Sequence, residues 1–483
     1  TDGLPMIRLK LALFMLLALI ACTALWHRYK PLPDGLAHES PLLPVQGLNL
    51  LVDDTWETAD GERAMRQTIF DEALRLIGQA RQLVVVDMFL FNAFQGADDA
   101  SYRPLSAELT RALVGKKQQQ PDLPVILITD PINTLYGGLH SEHLERLEDA
   151  GVVVITTPLT RLRDSNPSWS GIWRICCQWL GNSNEGGWLP NPMGPGKVTL
   201  RSYLTLLNFK ANHRKTLVVD EGDRWTALVT TANPHDASSA HSNLGITFQG
   251  PAVKTLLESE LAVARMAGVS LPDLPAAPDA ETSDSAAAQL QVLTEGAIRD
   301  ALLAAIERSQ RSQRGEALDV SVFYLSHRPL VKALLAAHER GVTVRVLLDP
   351  NKDAFGRQKN GIPNRQVGAE LRAAGIEVRW CNTQGEQCHT KMLLRRGSER
   401  SEVIIGSANF TRRNLDNLNL ESSVRVLAKT DHALMVDARS AFARRWDNHD
   451  GEKHSTDYDE YADEASWKYW VYRVMEFTGW SSF

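Results

Sequence analysis

His213-Arg214-Lys215 opens a stretch that closes in Thr230-Thr231-Ala232-Asn233, and His389-Thr390-Lys391 opens a second that closes in Gly406-Ser407-Ala408-Asn409. In both, histidine and asparagine stand twenty residues apart. One His-x-Lys is noise in a chain of 483 residues, but two, each with an Ala-Asn at the same offset, point to an internal repeat. The apolar residues after each lysine read as strands. Residues two apart on a strand face one side, so each histidine is expected to project with its lysine.

The flanking sequence repeats as well. The first half reads as a helix over 71–81, a strand over 83–91, a helix over 104–117, a strand at 125–129 running into Asp130-Pro131, a helix over 141–150 and a strand over 152–156. The second half reads as a helix over 298–309, a strand over 318–325, a helix over 329–340, a strand over 342–348 running into Asp349-Pro350, a helix ending at Gly375 and a strand over 376–380. This alternation predicts an α/β fold with buried sheets. The halves are expected at 45–268 and 290–450, joined by a linker at 269–289 rich in Pro, Ala, Asp and Ser. An acidic, then aromatic tail follows at 451–483.

A net charge of −6 argues against a protein that coats nucleic acid by bulk electrostatics. The five cysteines, Cys22, Cys176, Cys177, Cys381 and Cys388, match neither zinc-ligand spacing nor a secreted disulfide framework. Cys381 and Cys388 are read as reduced thiols, with pairing the alternative if the domain lies outside the cytoplasm. Residues 11–26 are apolar and flanked by Arg8, Lys10, His27, Arg28 and Lys30, and Met6 reads as the native start. A full span takes roughly 17–25 residues, so this run within 1–30 reads as a single anchor in the cell membrane. A lipoprotein signal, from Leu19-Ile20-Ala21-Cys22, and a cleaved signal are the alternatives. Cations on both flanks leave the side of the membrane open.

The first half is the longer one: 83 residues separate Asp130 from His213, against 40 between Asp349 and His389. The extra segment holds Trp169, Trp173, Trp179 and Trp188, a composition suited to a bilayer interface or to a helix covering the sheet. In the tail, Trp467, Trp470, Val471, Val474 and Phe477 form one apolar helical face, expected to pack on the protein body.

An imidazole attacks phosphorus or carries a proton near neutral pH, a lysine supplies charge to a phosphate oxygen, and an asparagine adds a neutral donor. Two such sets facing one another would put a histidine on each side of a phosphodiester. The doubled His-x-Lys with its Gly-Ser-x-Asn resembles the phospholipase D superfamily, over nearly the whole chain after the anchor. The resemblance implies two halves around a pseudo-twofold axis sharing one site, a covalent phosphohistidine and no metal or other cofactor. It implies His213 and His389 as nucleophile and general acid, with Lys215, Lys391, Asn233 and Asn409 on the phosphate. Asp220 stands at the family's aspartate position, where the second half has Arg396. Thr230-Thr231 replaces Gly-Ser in the first half.

Glu421, in Asn419-Leu420-Glu421, matches an acidic residue that supports a histidine from the opposite half. The first-half counterpart reads Asn243-Leu244-Gly245, so that support is expected to be missing once. His213 is therefore read as the nucleophile. Ser407, Thr231 and Arg412 are the expected substrate-binding residues. The anchor, the Trp-rich insertion and the aromatic tail favour the bacterial cardiolipin synthase-like branch, acting on a phospholipid with an alcohol or water as acceptor. A membrane-tethered nuclease ranks second, since Lys or Arg interleaved with aromatics is not evident. A silent lipid-binding scaffold ranks third, since both His-Lys-Asn sets are intact.

Overall fold

The computed structural model describes residues 3–95, 101–222, 224–275, 287–309, 316–354 and 357–483. The centre of the expected linker, 276–286, lies outside them. Two large mixed sheets carry the chain. In spatial order the first runs Arg63–Arg66, Gln46–Glu57, Asn243–Gln249, Trp225–Thr230, Lys215–Asp220, Val84–Met88, Val125–Thr129, Val153–Thr156. The second runs Leu43–Pro44, Ala288–Thr294, Ser422–Lys429, Arg400–Gly406, Lys391–Arg396, Ala317–Val322, Thr343–Leu348, Glu377–Cys381, Ser455–Asp457.

Seven consecutive strands repeat one order, from Gln46–Glu57 to Val153–Thr156 and from Ala288–Thr294 to Glu377–Cys381. In each set the three strands that alternate with helices are parallel, and the motif strand runs antiparallel to the first of them. The reason is local. Val84–Met88 and Ala317–Val322 are buried along their whole length, so both faces must be covered, and crossover helices cover one of them. Gly341 (φ 86°) and Gly375 (φ 93°) make the helix-to-strand turns in a conformation that glycine adopts without cost. The other faces of the two sheets meet in one shared core, where Val85, Val218, Val229 and Ile246 join Met392, Leu394, Ile405 and Val424.

Asp220, expected in the active site, lies at the far end of the motif strand. Its fully buried carboxylate accepts the backbone N–H groups of Arg81, Gln82 and Leu83 at 2.7–3.1 Å, and that of Gly222 at 3.3 Å. It satisfies amides at the entry to strand Val84–Met88, a structural task. In the second half Arg396 instead pairs with Asp319 across the adjacent strand (2.8 Å).

The Trp-rich part of the insertion is built around one helix. Its helix Pro167–Cys176 packs on helix Gly3–Tyr29, and Gly171 permits the approach, because a Cβ there would meet Ile20 O and Ala24. Trp173 is buried and Trp169 Nε1 donates to Leu204 O (2.8 Å), while Trp179 and Trp188 are exposed. Residues Met6–Tyr29 form a 24-residue apolar helix, long enough to cross a membrane, as a signal sequence also is. Helix Ser466–Thr478 does pack on the second half, but through Tyr469, Tyr472 and Met475. The expected face of Trp467, Trp470, Val471, Val474 and Phe477 is left exposed. Cys381 is bonded to Cys388, contrary to the reduced reading, and Cys176 to Cys177; Cys22 is free.

Replacing Asp220 with alanine strips several buried amides of their acceptor. Asp220→Ala is expected to lose about 2–4 kcal/mol in urea unfolding, with turnover per folded molecule within about twofold of the parent.

Candidate active site

Each motif histidine stands two residues before its strand, which begins only at Lys215 or Lys391. Here the chain leaves its own sheet and bridges to the opposite half. His213 N donates to Leu420 O (2.8 Å) and Leu420 N to Ala211 O (3.1 Å). In the mirror arrangement His389 N donates to Ser242 O (2.8 Å) and Ser242 N to Gln387 O (3.0 Å). Behind each bridge a buried aspartate holds the preceding amide: Asp130 Oδ2 accepts Asn212 N (2.7 Å), and Asp349 Oδ2 accepts Cys388 N (2.8 Å). Burial pushes these carboxyls up, to about 7 for Asp130 and about 6 for Asp349.

The imidazoles are held crosswise too. His213 Nδ1 lies 3.0 Å from Glu421 Oε2, and His389 Nδ1 lies 3.1 Å from Asn243 Oδ1. The acceptors are braced alike. Ser407 Oγ donates to Glu421 and accepts Ser422 N (3.0 Å); Thr231 Oγ1 donates to Asn243 Oδ1 (2.9 Å) and accepts Leu244 N (3.0 Å). This register makes Asn243 the counterpart of Glu421, correcting the expected pairing with Gly245. The second-half loop is two residues longer, twelve from Asn409 to Glu421 against ten from Asn233 to Asn243, so matching the Asn-Leu pairs slips the alignment. The second support is therefore present, as a neutral amide. Ser407 and Thr231, expected on substrate, are occupied as braces.

His213, His389, Asn233 and Asn409 line one cavity of about 1050 Å³. Its walls also include Phe89, Tyr136, Met193 and Phe209 from the first half, Phe323, Tyr324 and Arg413 from the second, and Phe483. Phe89 packs edge-on to His213 with ring centroids 4.8 Å apart, and Phe323 to His389 at 5.2 Å. The same two rings lie 5.0 Å from Lys215 Nζ and 5.3 Å from Lys391 Nζ. Both lysines sit beneath the wall, each donating to its own histidine's carbonyl oxygen (2.5 and 2.8 Å). Asn233 Oδ1 accepts Leu90 N (3.2 Å), which leaves its amide nitrogen for the cavity.

Arg412, expected on substrate, instead binds the carbonyls of Glu476 and Phe477, while its neighbour Arg413 reaches the cavity. His241 lines the cavity beside His389, with ring centroids 5.9 Å apart. His235 is tied to Ser238 and Phe94, and His327 to Asp416. Phe89, Phe323, Asn243, Asp130 and Asp349 escaped the sequence reading as site residues, although Asp130-Pro131 and Asp349-Pro350 already stood there as a duplicated signal.

Burial dominates the electrostatics. It pushes His213 down to about 4, with Glu421 opposing, and His389 well below its ordinary value, with Lys391 adding to the effect. Lys215 falls to about 7, and Lys391 lies well below the usual lysine range. Burial also opposes the charge on Glu421, but His213, Lys215 and the Ser407 hydroxyl outweigh it and hold the carboxyl below its usual range. Four basic side chains thus crowd one buried carboxylate, a site poised to gain protons when an anion enters.

Residues 302–446 match the family described as cardiolipin synthase, PLD-like domain. The chain is 31% identical over 150 residues to a mitochondrial cardiolipin hydrolase of Xenopus laevis, covering 31% of this chain and 61% of that protein. It is 29% identical over 138 residues to the Mus musculus protein of the same name, covering 29% of this chain and 55% of that one. The chain therefore spans about three fifths of the length of the first of these relatives. Over 91% of its length it shares the fold of a phosphatidylserine synthase from Haemophilus influenzae Rd KW20, covering 94% of that chain with a TM-score of 0.51 at 11% identity. The duplicated His-x-Lys, the repeated strand order and these matches make the chain similar to the phospholipase D superfamily, with the likeness to a cardiolipin synthase, PLD-like domain carried by residues 302–446 of its second half.

Proposed function

We propose that this protein cleaves or transfers the phosphodiester of a phospholipid through a phosphohistidine on His213. The observation that carries the reading is the crossed pairing. Each Nδ1 is taken up by the opposite half, which leaves Nε2 of both imidazoles for one cavity. Phospholipid is favoured as substrate by the largely apolar walls, by a helix able to cross a membrane, and by the names of the relatives.

The unequal partners divide the work. His213 Nε2 attacks phosphorus, and the resulting phosphoimidazolium is balanced through Nδ1–H by the Glu421 carboxylate. His389, held by a neutral amide, is the more acidic imidazolium when protonated, and gives its Nε2 proton to the departing alkoxide. A water or alcohol then returns that proton to His389 as it attacks phosphorus and frees His213. Lys215 and Lys391, charged once the anion is bound, with Asn233 and Asn409, hold the phosphate oxygens.

His213→Ala or His389→Ala is expected to lower turnover of vesicle phospholipid at least about 10³-fold, with chelator present. Full turnover in either variant, or degradation of single-stranded oligonucleotide with lipid untouched, refutes the assignment. Glu421→Gln should cost about 10²-fold in kcat. Asn243→Asp should raise the pKa of His389 and move the basic limb of the kcat profile up by about one pH unit; an unmoved limb would mean that His389 is not the acid. The basic groups gain protons as an anion binds, so affinity must fall as pH rises through the free-site value of Lys215, about 7. A short dialkyl phosphate, whose charge is constant over this range, should bind about tenfold tighter at pH 6 than at pH 8. Calorimetry in buffers of different ionisation enthalpy should register the proton uptake.

A further inference from the structure

Helix Ser466–Thr478 is inverted relative to an ordinary surface helix. Its inner side buries Tyr472 and Glu476, which bond to Arg328 (2.9 Å) and Ser326 (2.6 Å). Its outer side carries Trp467, Trp470, Val474 and Phe477 at helical spacing, 64%, 65%, 59% and 79% exposed. A helix that ends its folding against water puts such residues inward, and a contiguous exposed apolar stripe marks an interaction surface.

The stripe is tied to the membrane-length helix and to the cavity. Gly479 (φ 83°) ends the helix directly against the Ser165 carbonyl, where a Cβ would not fit. Trp480 Nε1 donates to Ser168 Oγ (2.7 Å) on the insertion helix, which abuts Ala24 of helix Gly3–Tyr29 through Gly171. On that last helix Phe14 and Leu17 are exposed, and Trp179 and Trp188 project from the insertion. Trp480 also lies edge-on to Phe209 of the cavity wall, with centroids 6.4 Å apart, and Ser482 and Phe483 line the same cavity. The cations of the helix turn aside, Lys468 to Asp463 and Arg473 to the Tyr469 hydroxyl (2.9 Å). The stripe therefore presents aromatic and aliphatic surface, the composition that settles at the level of lipid head groups.

We propose that Trp467, Trp470, Val474 and Phe477, with Trp179 and Trp188, form a bilayer-docking surface that seats the cavity mouth on the membrane. It rests on the phospholipid reading for what enters the cavity. The occupant is a bilayer rather than a second copy of the chain because the stripe is tied, through Trp480 and the insertion helix, to a helix long and apolar enough to span one.

The test uses the full chain in phosphatidylcholine–phosphatidylglycerol vesicles carrying phospholipid brominated near the head-group end of its acyl chains. The protein has twelve tryptophans, so Trp467→Tyr with Trp470→Tyr should remove about one sixth of the emission and a larger share of the part that bromine quenches. An unchanged quenched fraction leaves the stripe in water and overturns the proposal, and cross-linking of two copies through the stripe does the same. This readout needs no turnover, so it stands or falls apart from the catalytic assignment. Val474→Lys with Phe477→Ser should then lower turnover on vesicles about tenfold and on dispersed short-chain phospholipid less than twofold. Equal rates on vesicles, or equal losses on both substrates, count against docking.

Discussion

Everything at this site hangs on an exchange between halves: each histidine is held by residues it does not share a sheet with. Two backbone hydrogen bonds place the main chain of His213 against Leu420, and two more place that of His389 against Ser242. The side chains repeat the exchange through Glu421 and Asn243. A buried imidazole keeps one tautomer only if one nitrogen has a fixed partner, and here that partner always comes from across the shared core. The apolar contact between the sheets is thereby converted into chemical geometry, since a slip of one sheet would uncouple both rings together.

The exchange is even in geometry and uneven in charge. Beneath His213, Arg214 is fully buried between Glu260 (3.3 Å) and Glu295 (2.7 Å), and Glu295 also accepts the backbone N–H of Glu421 (3.1 Å). Burial, then neighbouring Glu260, pushes the Asp87 carboxyl well above the carboxylate range. Beneath His389 the same places are taken by hydroxyls, with Ser321 and Thr390 2.7 Å apart. The floor beneath His213 is thus ionic and that beneath His389 neutral, the same bias carried by Glu421 and Asn243. Whether a buried ion network adds stability depends on complete pairing, and here it also fixes the position of the Glu421 main chain.

Much of this was legible in the residues. The period of the apolar positions and the duplicated motif pointed to two α/β halves, and the predicted helices and strands lie within a few residues of those observed. The cross-support by Glu421 was legible because its motif neighbours mark it. Asn243 was missed because a two-residue difference in loop length shifts the local alignment, and only the hydrogen-bond register restores it. Asp220 misled because it was taken from its place in the motif, which does not say which end of the strand faces the cavity. Phe89 and Phe323 were invisible, being apolar residues just past buried strands, where core and cavity wall have the same composition. Strands Gln46–Glu57 and Ala288–Thr294 join their sheets next to the edge strands through pairings that no local pattern announces.

The crossed main-chain bridges bear on how the protein is made. Ribosomal synthesis delivers His213 long before Leu420 and Glu421, so the first half emerges with its ring unclamped and its buried lysine facing no finished pocket. The contacts that orient it span more than two hundred residues, and they close only after the second sheet has formed. The assembled site is in this way withheld from the nascent chain until both halves have folded, so the fold supplies its own delay.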